Sequence, residues 1–178
     1  NTISTDFADV TNTSGLFQYR LSVRNYYNMA MDKILMYDVF PHVGDGRNSA
    51  FSNTLQGPLE LKIGSTDVSN NYDIYYRTDK YPDRTDKNEL NSSAWTKNPG
   101  DYTKVKAIKI VGKNGTTLEP YTVLSAYLTM KAPTYDPKLS EAVANNTFSV
   151  IYNDEVKLRE TDVVSNKLID KMDVEATK

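Results

Sequence analysis

Phe17-Gln18-Tyr19-Arg20-Leu21-Ser22-Val23-Arg24-Asn25 alternates apolar and polar residues without a break. A period of two sends Phe17, Tyr19, Leu21 and Val23 to one face of a strand, and Gln18, Arg20, Ser22 and Arg24 to the other. A sheet with one packed and one wet face marks antiparallel sandwiches and points away from the parallel sheets of nucleotide-binding α/β proteins. Downstream, Ile34-Leu35-Met36-Tyr37-Asp38-Val39-Phe40 is apolar on both faces and reads as a central strand covered on both sides. Pro41 ends it, because proline cannot donate to a strand ladder. The polar connection Pro41-His42-Val43-Gly44-Asp45-Gly46-Arg47-Asn48-Ser49 follows, and the long link closes at Gly57-Pro58.

The same signals recur along the chain. Leu59–Ile63, Tyr72–Tyr76, Val105–Val111, Thr122–Met130 and Phe148–Tyr152 are strand-like, and Val156–Ile169 supplies a last strand. The Thr122 segment places Thr122, Leu124, Ala126, Leu128 and Met130 on one face. The alternation slips at Ala107-Ile108, which reads as a bulge. Asn114-Gly115 is the strongest hairpin signal, since a tight primed turn needs positive φ at both central positions. A short helix is expected at 138–145, and no segment sustains a 3.6-residue period. Eight or nine short strands with turns between them mean an all-β sandwich. The expected core is Leu21, Val23, Leu35, Ile63, Ile108, Ile110, Leu124, Leu128, Phe148 and Val150. Residues 1–14 read as a lead-in or first strand, 15–170 as a single sandwich domain, and 171–178 as a tail or linker. The abrupt ends suggest a piece of a longer chain, with any export signal or anchor outside it.

Composition narrows the function classes. The 178 residues carry a formal net charge of −2, so no basic face announces a nucleic-acid partner. There is no cysteine, which removes disulfides, thiolate metal sites and cysteine nucleophiles together. No apolar run approaches the roughly 20 residues that cross a bilayer as a helix. Thirteen tyrosines against five phenylalanines and one tryptophan suit half-buried sheets and binding surfaces alike.

His42 is the only histidine, and no Gly-x-Ser-x-Gly elbow presents a serine to it, so it is expected to shape a strand-to-loop corner. Asp38, Glu60 and Asp73 are expected on the wet faces of strands. Asp79, Asp83, Asp86 and Glu89 share one polar loop and have the oxygen ligands calcium prefers. They lack the EF-hand spacing, and Lys80, Arg84 and Lys87 interleave with them, so a solvated, salt-bridged loop is the favoured reading. No cofactor is expected otherwise. Tyr81 and Trp95, with Tyr26-Tyr27, Tyr72 and Tyr75-Tyr76, raise the contact of a sugar or a peptide, because aromatic faces stack and tyrosine loses little entropy on binding. Tyr81 and Trp95 are the candidate ligand contacts.

Tyr19-Arg20-Leu21-Ser22-Val23-Arg24-Asn25, then Asp32–Pro41, Val43-Gly44-Asp45 and a Ser49-Ala50-Phe51…Leu55…Gly57-Pro58 return resemble repeated modules of large Gram-positive surface proteins. Val105–Ile110, Thr122–Pro133, Asn146-Thr147-Phe148 and Glu160-Thr161-Asp162 look like the same module continuing, so the likeness spans about 15 to 165. The resemblance implies an immunoglobulin-like antiparallel sandwich with long loops, without enzymatic activity, in an exported, usually wall-anchored protein at the cell surface. It implies a stalk segment or part of an adhesin. Its partners would be neighbouring modules of the parent chain and a host protein or glycan, with no membrane insertion within this chain. Some such modules carry a lysine–asparagine or lysine–aspartate isopeptide bond. Lys33, Lys62, Asn146 and Asn153 are the residues to place, and strand-edge lysines reaching water are the plainer reading. The competing function is a carbohydrate-binding sandwich module of a secreted hydrolase.

Overall fold

The structure is a computed structural model that describes residues 7–10, 15–155, 157–161 and 163–168. In chain order the strands are β1 (Phe7–Val10), β2 (Leu16–Arg24), β3 (Met31–Asp32), β4 (Leu35–Val39) and β5 (Thr54–Leu55). They continue with β6 (Glu60–Ile63), β7 (Thr66–Asp67), β8 (Tyr72–Arg77), β9 (Ala107–Gly112) and β10 (Thr117–Leu118). The last five are β11 (Val123–Lys131), β12 (Val143–Asn146), β13 (Phe148–Ile151), β14 (Arg159–Glu160) and β15 (Val164–Leu168). Helical structure among the described residues is limited to short 3₁₀ turns.

Two five-stranded sheets face each other. One runs β2-β11-β6-β7 with β5 also on β11, and the other runs β14-β13-β4-β9-β8. Alternation decides what they bury. Tyr19, Leu21 and Val23 of β2 and Leu124, Ala126, Leu128 and Met130 of β11 are all 3% exposed or less. They meet Met36, Ile108, Ile110 and Phe148 of the opposing sheet in one apolar cluster. Each fully buried large side chain contributes about 1.5–3 kcal/mol of transfer free energy, which makes this layer the main source of stability. On the outer face of the first sheet, Ser22 and Ser125 are buried rather than wet as expected for Ser22, and they share a hydrogen bond of 2.9 Å across β2 and β11.

The second sheet is covered on its far side as well. Tyr37, Val39, Ala107 and Ile151 form an outer cluster with Leu90, against which Trp95 and Tyr81 pack. This explains why β4 reads as apolar on both faces. It also corrects three expectations. Residues 107 and 108 are both apolar because both faces of β9 are covered; the register with β4 and β8 runs unbroken, so there is no bulge. Leu35 lies on the outer side and is only half-buried, and Ile63 is also half-buried; the other eight expected core residues are buried. Asp38 points inward with Met36 and is 1% exposed, not on a wet face.

A third sheet, β1-β15-β12, flanks the sandwich, and β10 pairs with β3 in a two-stranded ribbon. Asn114-Gly115 therefore makes a turn but no hairpin: β9 stays in the second sheet while β10 leaves for β3. Only Gly115 has positive φ, and Thr116 N donates to Lys113 O at 2.9 Å, so the turn is not of the primed kind. The expected helix at 138–145 is a 3₁₀ turn at Pro137–Leu139 followed by β12. There Asn145 Nδ2 donates to Arg47 O at 2.8 Å and Asn146 Nδ2 to Asp38 Oδ2 at 2.9 Å. Residues 1–6, 11–14 and 171–178 of the expected lead-in and tail, and 169–170 of the expected sandwich domain, lie outside the described residues.

Candidate functional site

The first long connection turns back on itself at Asp45. Gly44 and Gly46 flank it at φ +83° and +76°, a left-handed backbone that glycine adopts without strain. This tight corner aims the Asp45 carboxylate at its own loop. It accepts hydrogen bonds from His42 N (3.2 Å), Arg47 N (2.8 Å), Arg47 Nε (3.0 Å) and Ser49 Oγ (2.7 Å). Burial opposes ionisation, but the bonds from Ser49 and Arg47 outweigh it and hold the carboxyl below the usual range.

Arg47 carries the corner inward. Its side chain is 4% exposed, and its guanidinium donates to Val39 O (2.8 Å), Asn146 Oδ1 (3.3 Å), Thr147 O (3.3 Å) and Thr147 Oγ1 (3.2 Å). One side chain therefore ties the end of β4 to the point where the chain crosses from β12 to β13. Asn146 Nδ2 donates to Asp38 Oδ2 at 2.9 Å, while Asp38 Oδ1 is buried without a partner. Burial pushes the Asp38 carboxyl up to about 7, with the Asn146 bond and the Arg47 charge working against the rise. Deeper in, Tyr19 OH donates to Asn166 Oδ1 (3.1 Å), and Asn53 Nδ2 donates to both Tyr19 OH (3.0 Å) and Asn166 Oδ1 (2.9 Å). These groups join β2, the first long connection and β15. Burial raises the Tyr19 phenol, and the Asp38 charge adds to the rise. Sequence reasoning missed Arg47, Asn53, Tyr19 and Asn166 as a set. The available signal was a polar run, Asp45–Asn48, placed immediately after a strand covered on both faces.

The two long connections, residues 41–58 and 78–101, meet above this interior. His42 stacks on Tyr81, with ring centroids 4.0 Å apart and 19° between planes. Arg84 Nε donates to Asp45 O at 3.4 Å, and its guanidinium pairs with Glu160. Between the loops lies a groove of about 440 Å³ lined by Val39, His42, Tyr81, Asp83, Arg84 and Thr85. Lys106 Nζ lies 5.5 Å from the Tyr81 ring centroid. Tyr81, one of the two candidate ligand contacts, is thus at an open groove. Trp95 is not beside it in role: its Nε1 donates to Glu89 O (2.9 Å), its ring meets Tyr37 edge-on at 6.0 Å, and Arg77 and Lys109 lie over it. Trp95 anchors the second connection on the sheet. Burial lowers the Lys109 ammonium, whose Nζ donates to Leu90 O at 2.8 Å.

The four acids of that connection are not brought to one point. Asp79 grips Arg77 through both oxygens, and Glu89 bonds Arg77 NH1 at 3.1 Å. Asp83 closes a turn on Thr85, and Asp86 caps the 3₁₀ turn at Lys87–Asn91 through Asn88 N. Among the described residues no three His, Asp or Glu side chains gather where an ion could be shared. The lysines and asparagines of the isopeptide question are each engaged elsewhere, although Asn153 lies close to Lys33, its Oδ1 accepting from Asp32 N at 2.8 Å. Lys33 pairs with Asp154 at the surface and Lys62 with Glu60, whereas the Asn146 amide is bonded to Asp38 and Arg47. Of the tyrosines, Tyr19, Tyr37, Tyr72, Tyr76 and Tyr152 are buried, while Tyr26, Tyr27 and Tyr121 stand exposed on loops. Adjacent Tyr75 and Tyr76 go to opposite faces, as alternation requires.

No family model and no curated protein matches this sequence. Solved structures do match it in fold. A substituted form of BcpA, the major pilin subunit of Bacillus cereus, superposes with a TM-score of 0.58 at 11% identity, over 92% of this chain and 37% of that one. The unsubstituted BcpA gives 0.53 at 12% identity over the same shares. A structure named BspA_C_mut gives 0.53 at 13% identity, over 92% of this chain and 47% of that one. The chain thus spans less than half the length of these neighbours. At such identities the likeness concerns fold alone: the chain is an all-β sandwich whose fold recurs in part of a bacterial pilin subunit.

Proposed function

We propose that this chain is a non-enzymatic module of an exported bacterial surface protein, serving as a stalk segment or as part of an adhesin. The observation that carries the reading is the superposition on a major pilin subunit over 92% of the chain, matched to about a third of that subunit. The interior supports it: the buried polar side chains at Arg47, Asp38 and Asn146 are spent on holding strands and loops to one another. Neighbouring modules of the same parent chain are the first partners on this reading. A host protein or glycan would meet the groove between the two long connections, with Tyr81 at its wall. The test is antibody labelling of intact source cells, with and without wall-degrading enzyme. Labelling of unbroken cells, released together with wall fragments, is expected. Antigen confined to the cell interior overturns the reading.

A further inference from the structure

The order of the outermost strands has a mechanical consequence. β1 and β15 are hydrogen-bonded neighbours that run parallel, with Phe7 opposite Ser165 and Val10 opposite Leu168. The chain therefore enters this pair at one end of the ladder and leaves it at the other. Parallel bonds are evenly spaced along the strands, so a pull along the axis loads them together. Antiparallel terminal strands joined at one end would instead open one bond at a time.

The second strand of the pair is held from three sides. Its other edge is paired with β12 from Val143–Lys167 to Asn146–Val164. Beyond that ladder, Glu141 N donates to Leu168 O (2.8 Å) and Leu168 N to Ala142 O (3.0 Å). Its middle residue, Asn166, is fully buried and locked to Asn53 and Tyr19, with Asn166 Nδ2 donating to Asn53 Oδ1 at 3.2 Å. Leu168 packs in a satellite cluster with Phe51, Ala132 and Ala144. Sliding β15 along its axis would break these contacts in concert.

We infer that β1 and β15, pinned through Asn166, form a shear clamp that makes this module resist tension applied through its two ends. The inference rests on the stalk reading for its purpose, but not for its test. The whole chain is held between handles at its N- and C-termini and pulled singly. It is then compared with a Val163→Cys protein pulled between the N-terminus and residue 163. The chain has no other cysteine, and Val163 is 46% exposed just ahead of β15, so the attachment is unique and accessible. The start of β1 and residue 163 lie at the same end of the β1–β15 ladder, so pulling there peels the pair apart. An unchanged urea midpoint for the Val163→Cys protein shows that it is folded. Because forced unfolding follows the barrier along the pulled direction, end-to-end pulling is expected to need about twice the force of peeling, or more. Equal forces, or a higher force in the peeling geometry, overturn the clamp. That outcome would leave surface labelling of cells untouched, so the clamp and the stalk reading fail separately.

Discussion

Two buried arginines fasten the two long connections, and they do so in opposite ways. Arg47 reaches from the first connection into the sandwich, where it meets two backbone carbonyls, an amide, a hydroxyl and the enclosed Asp45, whose side chain is 1% exposed. Arg77 reaches outward from β8 to Asp79, 44% exposed, and Glu89, 18% exposed, under the ring of Trp95. The side chains of the two arginines are equally hidden, at 4% and 3%. What differs is how much water their partners can recover once the arginine is gone. The first connection is part of the interior; the second is a cover laid on a sheet.

The contrast ranks the substitutions. Arg47→Ala strands Asp45, Val39 O and Asn146 Oδ1 in a dry site, so a loss of about 3–5 kcal/mol in urea-unfolding free energy is expected. Arg47→Lys recovers little of it, because an ammonium cannot span the same fork of acceptors. Next comes Asp38. Its carboxyl is raised in the folded protein to about 7, so the fold holds a proton that the unfolded chain releases near pH 4. This contribution is complete below about pH 4 and falls away as pH rises from about 4 through about 7, on the order of 4 kcal/mol in all. Asp38→Asn keeps an oxygen for the Asn146 amide and should flatten this part of the pH profile. It should also unfold at higher urea than the parent at pH 8. Arg77→Ala should cost about 2 kcal/mol, less than Arg47→Ala, since its carboxylates turn to solvent. Asp79→Asn leaves Glu89 on Arg77 and should change stability by less than about 1 kcal/mol. A reversal of the first and third effects would break the comparison.

Much of the framework was readable from residue spacing. The alternation from Phe17 to Asn25 identifies the buried face of β2, and the doubly apolar run at 34–40 a central strand. Period two assigns faces within a strand, but it does not say which face is the interior when both are apolar. That is why Leu35 was placed inside and Asp38 outside, the reverse of the structure. The Asn114-Gly115 turn was located correctly but its partner strands were not, because pairing is decided by burial far along the chain. The polar junction was invisible for the same reason. Arg47 and Asn146 are 99 positions apart and Tyr19 and Asn166 147 apart, and no local pattern links them. Trp95 shows the limit for aromatics: composition marks it as an anchor or a contact, and only the fold shows the Tyr37 ring and the Glu89 carbonyl it serves.

Native-state hydrogen exchange at single-amide resolution tests the contrast between the two connections most directly. The amide of Arg47, bonded to Asp45, and that of Ala50, bonded to Val143 O at 2.9 Å, should exchange only with global unfolding. Those of Thr85 and Asn88, bonded to Asp83 and Asp86 on the exposed cover, should exchange through local opening at least about tenfold faster. Equal protection in the two connections would contradict the claim that one is built into the sandwich and the other laid upon it.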